Sequence, residues 1–145
     1  MTQPGVDRVA GEMLCAGDGI GEILWLDEPL SFWGGTDLHS AIITDIHHPQ
    51  HGISLAGRVM VMEASRGSSS SSSVLAEQIR AGVAPSAILL ASRDGIVTLG
   101  ALAAAEVYRI RLPILLLDTE AMAGLPRTGA VVVSSAPGGS SVSWF

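Results

Sequence analysis

Arg58-Val59-Met60-Val61-Met62-Glu63-Ala64-Ser65-Arg66-Gly67, then six serines from Ser68 to Ser73, then Val74-Leu75-Ala76-Glu77-Gln78-Ile79-Arg80: this stretch decides the fold. Val59 to Met62 is a short apolar run with β-branched members, the pattern of a buried strand. Val74, Leu75 and Ile79 fall on one helical face, with Glu77 and Arg80 on another. Between them Gly67 and the serines form a tight turn, since glycine accepts the backbone angles a turn needs and serine is a favoured N-cap. The segment is therefore strand, turn, helix. A helix start presents unpaired N–H groups and a partial positive charge. Hydroxyls placed there can help bind an anion, or lose a proton more easily than in water. A serine run can also be a flexible linker. Linkers join domains, however, and this one lies mid-chain between an apolar strand and an amphipathic helix, which favours the functional turn.

A chain of 145 residues fits one domain, 1–145, with a proper core. Hydrophobic residues make up 48% and charged ones 15%, an apolar excess that points to an obligate partner, with a tightly packed monomer as the alternative. The net charge of -6 argues against nucleic acid, which needs a basic face. All eight basic residues are arginine, so the chain offers neither a P-loop lysine nor a Schiff-base lysine. With no asparagine it has no N-glycosylation acceptor. Cys15 stands alone, which excludes an internal disulfide and a cysteine-rich metal site, and leaves too few thiolates for an iron–sulfur cluster. No apolar run approaches the ~18 residues of a membrane span. Pro4, Gly5 and Asp7 do not make a signal peptide, and the expected setting is a soluble, cytoplasmic one.

Residues 1–9 read as a loose lead-in and Met13–Ala16 as a short strand, closed by a turn through Gly17, Gly19 and Gly21. Ile23–Leu26 is strand-like. Asp27-Glu28-Pro29 interrupts it, and Leu30–Trp33 continues to Gly34 and Gly35, where the chain turns or approaches another surface closely. Ala41–Ile46 reads as a strand. His47-His48-Pro49-Gln50-His51-Gly52 invites a metal site, but Pro49 disfavours the helix that would align His47 with His51, so a turn or interface loop is expected. Further on, Gly82 and Pro85 end the central helix. Ala87–Ala91, Leu112–Leu117 and Ala130–Val133 are strands, Arg93-Asp94-Gly95 a turn, and Thr98–Tyr108 a second helix. Pro137–Ser141 reads as a loop, followed by an apolar end, Val142, Trp144 and Phe145, able to dock on the body or on a partner. The fold class is α/β with a mixed sheet, the serine turn lying at a strand's C-terminal end, where such sheets tend to place ligand sites.

Leu30-Ser31-Phe32-Trp33-Gly34-Gly35, His48-Pro49 with Gly52, Arg66-Gly67-Ser68-Ser69 and Gly82-Val83-Ala84-Pro85 together resemble the small subunit of the aconitase X family, the swivelling domain of aconitase-like dehydratases, over roughly residues 10–118. The resemblance implies a heterodimer whose large subunit carries an iron–sulfur cluster or iron and most substrate contacts, none of the metal being held by this chain. It implies a hydro-lyase acting on a hydroxy acid, either cis-3-hydroxy-L-proline or mevalonate 5-phosphate. It assigns the catalytic base to Ser68, with Gly67, Ser69 and Ser70 around the substrate. Aconitase-like enzymes carry arginine after the serine pair, whereas this chain has Ser70, so a guanidinium clamp at that position is missing. Two other classes stay open: a non-catalytic partner or regulatory domain, and an anion-binding module built on the helix start.

Overall fold

The computed structural model describes residues 7–145. Seven strands close into a barrel in the order β1-β5-β4-β3-β2-β6-β7. They are β1 (Asp7–Cys15), β2 (Gly17–Trp25), β3 (Val59–Met62), β4 (Ala87–Leu90), β5 (Ile114–Leu116), β6 (Ala130–Ser135) and β7 (Ser140–Trp144). Four neighbours, β2-β3-β4-β5, pair in parallel. Antiparallel pairing through β1, β6 and β7 completes the ring. The helices are α1 (Phe32–Gly35, a single distorted turn), α2 (Ser71–Ala81), α3 (Gly95–Tyr108) and α4 (Thr119–Gly124).

The central strands are buried on both faces, and their side chains alternate between two cores. Val59, Val61, Ala87, Leu89 and Leu115 meet Ile23, Val131, Val133 and Val142 inside the barrel. Met60, Met62, Ile88, Leu90 and Ile114 face Leu75, Ile79, Val97, Ala101 and Ala104 of α2 and α3. That double burial is why these strands are continuously apolar in sequence. The chain belongs to the α/β class with a mixed sheet, and the strand–turn–helix of residues 59–81 is formed as expected. Among the described residues no helix is long and apolar enough to cross a membrane.

Several local expectations give way. Gly17, Gly19 and Gly21 do not turn the chain; they lie within β2. A Cβ on Gly19 would strike the Ser86 carbonyl, and one on Gly21 the Gly57 carbonyl, so these glycines admit neighbouring backbone rather than reverse direction. Asp7–Val9, expected in a loose lead-in, is already in β1; residues 1–6 lie outside the described residues. Ala41–Ile46 forms no strand, only isolated bridges from Ile43 to Thr36 and from Ile42 to Ser54. Leu30–Trp33 does not continue as a strand: Leu30 bridges Ser65 and the chain then coils into α1. Ser140 and Ser141, expected in a loop, begin β7, whose pairing with β1 and β6 docks Val142 and Trp144 on the barrel. The histidine stretch is a turn, with His48 buried.

Candidate functional site

β3 delivers the chain at Met62 to a loop pinned at its middle. The Ser65 N–H and hydroxyl both donate to Asp94 Oδ2, each at 2.5 Å. The other oxygen of Asp94 accepts from Ile96 N at 3.0 Å and Val97 N at 3.2 Å, capping α3. One buried carboxylate thus ties the serine loop to the start of the neighbouring helix. Arg66 N–H then donates to Leu30 O at 3.1 Å. Gly67 takes φ +95°, and a Cβ there would come within 2.6 Å of Ser31 Oγ. Both the backbone angle and the packing call for glycine.

The turn begins at Ser68. Its carbonyl accepts from Ser71 N at 3.0 Å, and its Oγ accepts from Ser70 N at 3.0 Å. Ser68 therefore does the work of an N-cap, while Ser70, the residue directly before α2, makes no side-chain cap bond. Ser68 is exposed, its hydroxyl oxygen accepts from the amide of Ser70, the residue directly before α2, and it stands at the approach to that helix, toward which the helix dipole presents partial positive charge. Gly67, Ser69 and Ser70 are exposed beside it. The later serines have other partners. Buried Ser71 accepts from Trp33 N through Oγ at 3.0 Å, Ser72 Oγ donates to Ile96 O at 2.6 Å, and Ser73 faces solvent.

Supports from three sides fix this geometry. Gly100 of α3 lies so close to α2 that a Cβ would be 2.7 Å from the Ser72 carbonyl. Gln78, fully buried, donates to Thr36 Oγ1 at 2.9 Å and Asp37 O at 3.2 Å, which holds α1 against α2. Trp33 of α1, 58% exposed, stands beside the turn that its N–H anchors. Sequence reasoning placed Ser68 to Ser70 but missed Asp94, Ser65 and Gln78 as supports. An aspartate directly before a helical run is a legible cap signal; its bond to Ser65, 29 residues away, has no local signature.

The described residues do not suit a metal cluster of their own. No three His, Cys, Asp or Glu side chains among them converge. Cys15 is buried in the core, and burial pushes its thiol above the ordinary value despite the opposing charge of Arg111.

The fold and this site define a swivel-type α/β barrel with a serine at a helix start. The profile described as "Aconitase X swivel domain" matches residues 8–142, and the chain belongs to that family. It is 48% identical over 101 residues to the cis-3-hydroxy-L-proline dehydratase of Pseudomonas aeruginosa, covering 70% of this chain and 17% of that protein. It is 35% identical over 92 residues to the phosphomevalonate dehydratase small subunit of Methanothermobacter thermautotrophicus, covering 63% of this chain and 70% of that one. The crystal structure of Thermococcus kodakaraensis aconitase X in its holo-form superposes with TM-score 0.82 at 26% identity, over 96% of this chain and 98% of that chain. The chain thus spans about a sixth of the length of the hydroxyproline dehydratase it matches and most of the length of the separate small subunit.

Proposed function

We propose that residues 1–145 act as one swivelling unit of a cytoplasmic hydro-lyase that dehydrates a small hydroxy acid, cis-3-hydroxy-L-proline. The supporting observation is the Ser68 hydroxyl: exposed, just ahead of a helix start, with the N–H of the N-cap residue Ser70 bonded to its oxygen. Serine is a weak base in water. Helix-start amides together with exclusion of solvent stabilise its alkoxide. Ser68 takes the proton from carbon, the neighbouring C–O bond breaks, and the electron pair left by the proton forms the double bond. The proton and hydroxide together make up the water lost. Gly67, Ser69 and Ser70 border the substrate, the two serines offering exposed hydroxyls.

Because the whole turn lies on open surface, a second body must cover it before water is excluded. We assign that body to an aconitase X large subunit, which also holds the iron–sulfur cluster or iron and promotes departure of the hydroxide. A second substrate, phosphomevalonate, is favoured by one observation: relatives of comparable length are phosphomevalonate dehydratase small subunits, of which the match covers 70% and 75%.

Reconstitution tests the proposal. The chain and its large subunit, purified separately and mixed, are expected to dehydrate cis-3-hydroxy-L-proline, with neither component active alone. Turnover of neither candidate substrate by a stable complex, or full activity of the large subunit alone, would overturn it.

A further inference from the structure

Asp94 makes more bonds than a helix cap requires. Capping α3 uses one oxygen, Oδ1, which accepts from Ile96 N and Val97 N. Oδ2 is spent elsewhere, accepting from both the N–H and the hydroxyl of Ser65. The carboxylate is buried, its neighbour Arg93 pairs with Glu12, and no cation pairs with Asp94 among the described residues. Burying such a charge is unfavourable unless donors surround it. A serine or asparagine would cap α3 with no charge at all. Of the favoured cap residues, however, only aspartate has two acceptor oxygens; asparagine carries donors on one side. The cap accounts for Oδ1, and Ser65 accounts for the residue being an acid.

The same helix start holds the far side of the turn. Ser72 Oγ donates to Ile96 O at 2.6 Å, and Gly100 brings α3 so close that a Cβ would lie 2.7 Å from the Ser72 carbonyl. Residues 66–71 therefore span two attachments, Ser65 before them and Ser72 after them, both made to residues 94–96. Ser68 lies inside that span. Arg66 to Ser70 are all exposed, so little packing of their own holds them, and the attachments set their position. On the opposite side, Arg66 N bonds to Leu30 O and Ser71 Oγ to Trp33 N. Of the two supports α3 is the stiffer, a helix of 14 residues, whereas α1 has 4 residues and non-helical angles at Trp33 and Gly34.

We propose that Asp94 is a positioning residue for the reaction, which sets the aim of Ser68 by fastening Ser65 to the start of α3. It acts through the turn and not on the substrate. A base must meet its proton in a narrow range of geometries, and a displacement of about 1 Å lowers turnover by about 10²-fold. The inference rests on the role of Ser68 proposed above and adds the residue that fixes its geometry.

Asp94→Asn separates the pin from the cap. With its oxygen toward α3 the amide strands one donor, the Ser65 N–H, because the Ser65 hydroxyl can rotate and accept; the reverse orientation strands two. Deuterium exchange is measured on the full chain, and kcat and KM on the complex reconstituted with the large subunit. Exchange is expected to quicken by about tenfold at the amides of residues 65–71 and to stay unchanged at residues 96–104. The value of kcat should fall about 10–100-fold, with KM within about threefold of the parent. Ser65→Ala, which loses the hydroxyl and keeps the N–H bond, should show a smaller fall. Asp118→Asn, at the cap of α4 and without a bond to the serine turn, is the control and should turn over normally. Normal kcat in Asp94→Asn overturns the proposal, as does exchange that quickens equally along α3, the mark of a cap alone. A larger fall for Ser65→Ala than for Asp94→Asn also overturns it. If Asp94→Asn does not fold, Ser65→Ala decides, and normal turnover there sinks the idea. If Ser68→Ala abolishes turnover while Asp94→Asn turns over normally, the positioning role alone fails. If Ser68→Ala turns over normally, the base assignment fails and this inference with it.

Discussion

Six adjacent hydroxyls occupy distinct surroundings within two turns of chain. Ser68 caps, Ser69 and Ser70 are exposed, Ser71 and Ser72 anchor the turn to Trp33 and Ile96, and Ser73 faces solvent. Removing an anchoring hydroxyl loses a hydrogen bond worth about 1 kcal/mol, and at Ser71 it also leaves the Trp33 N–H without that acceptor. Thermal unfolding of the isolated chain should therefore show Ser71→Ala and Ser72→Ala each destabilised by about 1–2 kcal/mol, with Ser73→Ala within about 0.5 kcal/mol of the parent. Equal stabilities for all three variants would contradict the division. The glycine–serine signature made the turn legible from sequence, because glycine's conformational freedom and serine's capping are local properties. Which serine caps was harder to read, since it depends on where Gly67 lies against Ser31, 36 residues earlier in the chain.

The elements recovered best from sequence are those whose burial is two-sided or periodic. Val59–Met62, Ala87–Leu90 and the amphipathic face of α2 declared themselves through apolar pattern alone. β2 did not. Its glycines resemble a turn, yet they exist because the strand runs against the backbone at Gly57 and Ser86, a contact sequence cannot display. Ala41–Ile46 misleads in the opposite way: a β-branched run with strand propensity is held by isolated bridges and a buried Ile43, since tertiary packing outweighs propensity. Gly21→Ala should test the close approach. Its Cβ would collide with the Gly57 carbonyl, and backbone cannot rotate away as a flexible side chain would. We expect a loss of about 1–3 kcal/mol in denaturant unfolding. Gly138→Ala, with open space around it, serves as the control and should be near neutral. Equal stability of the two variants would show that β2 does not press on the loop at Gly57.

At the scale of the whole molecule, much of the apolar excess goes inward. A closed barrel with helices packed outside it has two cores, one on each face of the parallel strands. Hydrophobic content alone is thus a weaker sign of a partner than it first suggests. Better pointers are the exposed Trp33 and Ile46, 58% and 74% open, on the two segments that flank the serine turn. Family and fold class were legible because four short motifs occur in order; closure of the barrel was not, as it depends on β7 bridging β1 and β6 across the full length of the chain. The central claim is that this scaffold aims one hydroxyl, that of Ser68, at a carbon-bound proton. The most direct measurement is kcat for Ser68→Ala in the assembled complex, with assembly and iron content checked alongside. The account predicts a fall of about 10²–10⁴-fold or more with assembly and iron unchanged, the range for loss of a positioned acid–base group. Near-normal turnover by an intact Ser68→Ala complex would contradict it.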